Sequence, residues 1–65
     1  MNDEEKQILS EIINALYSQG YQPYDQIYGY VKTGNELYIT RKNDVRRKIK
    51  TLDKTVLEQY LEEDV

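Results

Sequence analysis

Proton transfer and nucleophilic attack near neutral pH draw most often on imidazole and thiol groups. This chain has no histidine and no cysteine. Ser10 and Ser18 remain as hydroxyl nucleophiles, but no base stands near them in sequence to activate either one. Glycines 20, 29 and 34 are too far apart for a phosphate cradle and are spaced instead as helix ends and a packing point. The carboxylates are dispersed and do not match a calcium loop. Chains this short rarely enclose the pocket that a paired-carboxylate site needs. The expectation is therefore no catalytic residue, no cofactor and no metal: the chain is not read as an enzyme.

Charge is the next resource, and it is segregated. Residues 1–20 carry −3, residues 21–40 carry −1, residues 41–54 carry +5 and residues 55–65 carry −4, for a total of −3. The basic block holds Arg41, Lys42, Arg46, Arg47, Lys48, Lys50 and Lys54 against Asp44 and Asp53. Three readings are open for it. It is a solvated helix face, with Asp44 pairing to Arg47 or Lys48. Or it docks an acidic or phosphorylated partner, such as the acidic tail of a second copy. Or it meets nucleic acid phosphates. The third fits least well, because Gly34–Ile39 is longer than a helix-turn-helix turn and the net charge opposes wide phosphate contact.

Seven tyrosines with no Phe or Trp supply all the aromatic surface. Five of them, at 17, 21, 24, 28 and 30, fall within fourteen residues. A tyrosine buries a ring while its hydroxyl seeks a partner, which suits half-buried faces and interfaces. Tyr24 and Tyr28, at i and i+4, read as core residues; Tyr21 and Tyr30 fit the core stripe less well, and at least one of them is expected at an interface.

These side chains must be carried by helices. Ile8, Leu9, Ile12, Ile13 and Leu16 recur at helical spacing and predict a helix from Asp3 to Gln19, capped by Asn2 or Asp3 and ended at Gly20. A second helix is predicted to begin at Pro23 and end at Gly34, with Tyr24, Ile27, Tyr28 and Val31 within about a 100° stripe. Residues 35–39 read as a loop or short extended piece, with Ile39 an anchor in the core. A third helix is predicted from Thr40 or Asn43 to Thr51, with Val45, Ile49 and Leu52 inward and Arg46, Arg47 and Lys50 outward. Asp53 caps a fourth, which uses Val56, Leu57, Tyr60 and Leu61. The fold class expected is all-α: a compact bundle of about four short helices in one domain, 1–65.

Such a chain buries only about 60% of the surface its unfolded form exposes. Small domains make up the deficit with disulfides, metals or self-association. Without cysteine or histidine the first two routes close, and a homodimer is expected. Hydrophobic residues at 38% and charged residues at 32% are lean for a core but too rich in Ile, Leu, Val and Tyr for a disordered chain. No apolar run approaches the ~20 residues of a membrane span, and Met1–Lys6 is acidic where a signal peptide would be basic. A soluble, cytoplasmic protein without membrane insertion is expected.

The stretch Gly20-Tyr21-Gln22-Pro23-Tyr24-Asp25-Gln26-Ile27-Tyr28-Gly29-Tyr30 resembles the signature G-Y-x-P-x-x-Q-I-x-G-Y of the IreB family, small regulatory phosphoproteins of Gram-positive bacteria. Gly34–Arg41 is similar to that family's G-D-P-A-Y-I-x-R, and Asn43–Arg46 to its N-[ND]-A-R. The resemblance spans residues 7–61 without insertions. It implies an all-helical, dimeric, non-catalytic regulator tied to a membrane serine/threonine kinase that senses cell-wall stress. Family members carry phosphorylatable threonines on an N-terminal tail. Here only Met1-Asn2-Asp3 precede the first helix and the first hydroxyl is Ser10, so tail phosphorylation does not carry over. Glu36 and Leu37 stand where the family has Pro-Ala.

The sequence reading is thus a small regulatory protein that binds an unidentified protein partner. The candidate partner-binding residues are Tyr21, Gln26, Tyr30, Tyr38, Arg41, Arg46, Arg47 and Lys50. The alternative is a nucleic-acid-binding module on the basic helix around residues 41–50; a third option is a packing subunit of a larger complex.

Overall fold

Local rules set the first two helices. The computed structural model describes residues 2–63. Helix α1, Asp3–Ser18, starts on Asn2, whose side chain accepts from the Glu5 N–H at 2.8 Å while the Glu5 carboxylate accepts from the Asn2 N–H at 3.1 Å. This reciprocal capping box, with Asp3, Glu4 and Glu5 in the first turn, satisfies orphan donors and suits the positive end of the helix dipole. The helix ends in a Schellman motif. Gly20 has φ +84°, its N–H donates to Tyr17 O at 3.0 Å, and the Tyr21 N–H donates to Leu16 O at 3.0 Å. Helix α2, Pro23–Thr33, begins on proline at its first position and stops at Gly34, whose N–H donates to Tyr30 O at 2.7 Å.

Between α2 and the next helix the chain departs from expectation. Residues 35–39 are not simply a loop or extended piece: Glu36–Tyr38 forms a 3-10 turn, because the Asn35 side chain accepts from the Leu37 N–H at 2.9 Å and bends the chain. A second 3-10 turn, Lys42–Asp44, follows. Helix α3 is Val45–Lys50, shorter at both ends than predicted. Its start is held back by Asn43 and Asp44, both left-handed at φ 56° and 58°, a conformation these two residue types tolerate better than other non-glycines. Helix α4 is Lys54–Glu63. Asp53 precedes it as expected, and its carbonyl accepts from the Val56 N–H at 3.0 Å.

The core is one cluster: Leu9, Ile12 and Leu16 from α1, Ile27 from α2, Ile39, Val45 and Ile49, then Leu52, Val56 and Leu57. The predicted stripes of α1, α3 and α4 are its backbone, and Ile39 is the anchor expected of it. Helix α1 packs on α2 and α3, and α2 on α4. The wheel of α2 is centred on Ile27, with Tyr30 and Val31 packed against the core. Tyr28 corrects the prediction. One residue past Ile27, it lies about 100° around the helix and is 46% exposed. It stacks on half-buried Tyr24, ring centroids 6.1 Å apart, outside the core.

The described residues are all-helical with no strand, and the Cα radius of gyration of 10.5 Å is what a compact chain of this length has. Ile39→Ala should lower unfolding free energy by about 2–4 kcal/mol, whereas Leu37→Ala two residues earlier should change it by less than about 0.5 kcal/mol. Urea denaturation of the two variants separates an anchored segment from a loose one; equal effects would contradict the anchor.

Candidate interaction site

Residues 35–44 form a strap across α2, and most of the candidate side chains turn out to hold it there. The face of α2 turned away from Ile27 carries Gln26, Gly29 and Thr33. The Tyr38 ring lies on Gly29 so closely that a Cβ there would be 2.7 Å from Tyr38 Cδ1 and 3.0 Å from Cγ. Glycine is required by that approach, not by its backbone angles. Gln26 Oε1 accepts from the Thr40 N–H at 3.2 Å. The Thr40 hydroxyl donates to Gln19 Oε1 at 3.1 Å and accepts from the Lys42 N–H at 3.2 Å.

From the other side, α3 grips the same strap. Arg46 Nε donates to Ile39 O at 2.7 Å. Arg46 is therefore half-buried and bound inward, not turned out to solvent as the wheel predicts. A wheel shows which face a residue occupies but not that another segment lies over that face. Lys50 forms an ion pair with Glu36. The hydrogen bond from Lys50, then its charge, hold the Glu36 carboxyl below its ordinary value against a slight opposing effect of burial, with the smallest contribution a further push downward from Arg46.

Two more cations of the basic block are paired as well. Arg47 pairs with Asp44 at 3.2 Å, one of the two local pairings expected, and Lys48 reaches Glu11 of α1 at 3.6 Å. Both are exposed or nearly so and each contributes little to stability. Arg41 and Lys42 are exposed and have no acidic partner among the described residues.

The structure thus brings Gln26, Tyr38, Arg46 and Lys50 together around the strap and leaves the other candidates apart. Tyr30 packs against the core and lines a hollow of about 130 Å³ with Val31, Gly34, Leu52, Lys54 and Leu57. That is below the size of an ordinary ligand pocket. Tyr21, Arg41 and Arg47 are exposed. Three side chains of the strap system, Gln19, Thr40 and Glu36, were not among the candidates. Thr40 lies 21 residues from Gln19 and 14 from Gln26, so no local spacing could have signalled them.

A family model described as IreB regulatory phosphoprotein matches residues 1–64. The chain belongs to the IreB family. Its membership gives a regulatory role, and in this chain most of the signature-like residues have structural work. Gly20, Pro23 and Gly34 set helix ends, while Gln26, Gly29, Tyr38 and Arg46 join the strap to α2 and α3. Where this chain departs from the family's Pro-Ala, Glu36 supplies the partner of Lys50 and Leu37 is 71% exposed. No helix among the described residues is long and apolar enough to cross a membrane.

The Gly29–Tyr38 contact yields a sign reversal. Gly29→Ala gains about 1 kcal/mol of helix propensity but forces the ring off, for a net loss of about 1 kcal/mol. In a Tyr38→Ala background the same change should stabilise by roughly 1 kcal/mol; chemical denaturation giving one sign in both backgrounds would refute the contact. For Glu36, the depressed folded-state pKa means that the pair contributes fully above the ordinary value of 4.5 and is lost as pH falls through the folded value. The Glu36 carboxyl resonance should therefore titrate below 4.5, and in Lys50→Gln its midpoint should return toward that value.

Proposed function

We propose that this protein is a non-catalytic regulator that works by binding another protein, acting in the cytoplasm as a homodimer in a circuit tied to a membrane serine/threonine kinase that senses cell-wall stress. The observation that carries the reading is the match of the IreB regulatory phosphoprotein family to residues 1–64. Tyr17, Tyr21, Tyr28 and Leu37 are large side chains left exposed, and tyrosine suits a surface that meets a partner. Tyr21 and Arg41 are the signature residues with outward side chains that no internal contact employs, and they are the proposed partner-facing pair, with Arg47 as a further candidate.

The alternative, phosphate binding by the helix around residues 41–50, is weakened by the pairing of that helix. Arg46, Arg47, Lys48 and Lys50 each have an internal acceptor, so few cations remain to release counterions from a nucleic acid.

Sedimentation equilibrium at micromolar concentration should return a mass near twice 7.8 kDa. Capture of partners from the native cell extract should recover a protein that is lost with Tyr21→Ala plus Arg41→Glu while the variant remains folded. Monomeric behaviour with no partner dependent on those two residues would overturn the reading; a DNA or RNA shift that fades steeply between about 50 and 200 mM salt would replace it with the alternative.

A further inference from the structure

Helix α2 stops on a left-handed residue, and Gly34 fills that place at φ +72° without contributing a side chain. A Cβ there would meet nothing within 4 Å. Gly34 also borders the hollow of about 130 Å³ where the end of α2 meets the start of α4. Leu52 and Leu57, both buried, lie at its base, half-buried Tyr30 and Val31 line it from α2, and exposed Lys54 lines it from α4. Protein interiors rarely leave apolar side chains around unfilled space of this size.

Two features define what would enter. The first is volume: a cavity of about 150 Å³ holds a benzene ring, so this hollow takes a single side chain of leucine or isoleucine size. A free molecule that small gains little on binding, whereas a peptide delivers such an anchor together with the contacts of its neighbours. The second is charge. Lys54 forms no ion pair among the described residues, although Asp53 precedes it and Glu58 lies one turn on. Lys32, directly after Val31 in the last turn of α2, is exposed and has no acidic partner among those residues either. An apolar seat beside unpaired ammonium groups complements an apolar side chain next to a carboxylate.

We propose that this hollow is a docking site for an acidic peptide segment of a partner protein, which inserts one branched aliphatic side chain while a carboxylate within two residues of it meets Lys54. This rests on the regulatory reading above and gives its partner a chemistry. The two contacts divide the work. Burial of the aliphatic group supplies most of the affinity, and the ammonium selects, because it attracts a flanking Asp or Glu and repels a flanking Lys or Arg.

The smallest probe with both features is 4-methylpentanoate, a leucine-like chain ending in a carboxylate. Titrated into the full chain and followed by NMR, it should shift the amides of Val31, Gly34, Leu52, Lys54 and Leu57 together, with a Kd of about 1–10 mM. The neutral 4-methylpentanamide should bind about three- to fivefold more weakly, and Lys54→Gln, an exposed change that leaves the fold intact, should weaken the acid by the same factor. Shifts absent from these residues overturn the site; acid and amide binding alike overturn the role of Lys54. Random heptapeptides displayed against the immobilised full chain should enrich Leu, Ile or Val within two residues of Asp or Glu, and the enrichment should vanish on Lys54→Glu. Enriched sequences without an acid overturn the occupant. Tyr21 and Arg41 lie outside the hollow, so a chain that loses its captured partner with those two changes, yet binds nothing here, retires this inference alone.

Discussion

Between Gly34 and Asp44 a single residue is buried, Ile39, and the rest of the structure depends on its seat. Four short helices cannot close a core alone when the longest has sixteen residues and α3 only six. The side chain that completes the cluster comes from non-helical chain, whose backbone groups must find partners that a helix would have given them. The polar contacts around the strap meet that need: the Asn35 turn, Gln26 on the Thr40 N–H, and Arg46 on the Ile39 carbonyl. Removing the apolar anchor leaves those contacts nothing to hold in place.

Much of the fold was legible because it follows from nearest neighbours in sequence. Asn2 with Glu5, Gly20 and Pro23 each act within one turn, and the apolar spacing of α1 fixes Leu9, Ile12 and Leu16 inward whatever surrounds them. Errors arose where a residue had two permitted states. Asn43 and Asp44 are compatible with a helical start and with left-handed turns, and only the path of the strap selects the latter. On α2 the apolar arc of tyrosines is wider than the face the core can cover. Choosing Tyr30 over Tyr28 requires knowing where α4 lies. The site was less legible than the fold, because Gln19, Gln26 and Thr40 meet only after the chain has turned twice.

The charge blocks illustrate the same limit in another form. A run with net +5 over residues 41–54 reads as a surface for an anion, yet three of its cations, Lys48, Lys50 and Arg47, find carboxylates within the chain: Glu11 from the acidic first block, Glu36 from the second and Asp44 locally. Each pair is solvent-screened and weak. Their collective effect is on availability, since a cation held against a carboxylate neither steers nor releases counterions as a free one does. Within the stretch, Arg46, Lys48 and Lys50 tie α3 to the strap and α1.

This changes what the family signature means physically. Residues such as Gly29 and Arg46 keep company with Tyr38 and Ile39 because the strap must lie flat, so most of the signature is accounted for by folding. A residue already used inside contributes little free surface to a partner. What folding leaves unexplained is the narrower set with outward side chains, Tyr21 beyond the end of α1 and Arg41 at the tip of the strap. In the proposed reading the regulatory contact lies there, one residue just past the end of α1 and one on the strap, where Ile39 is the one buried side chain. A partner touching both would sense whether the strap is seated, which a surface confined to the helices could not report.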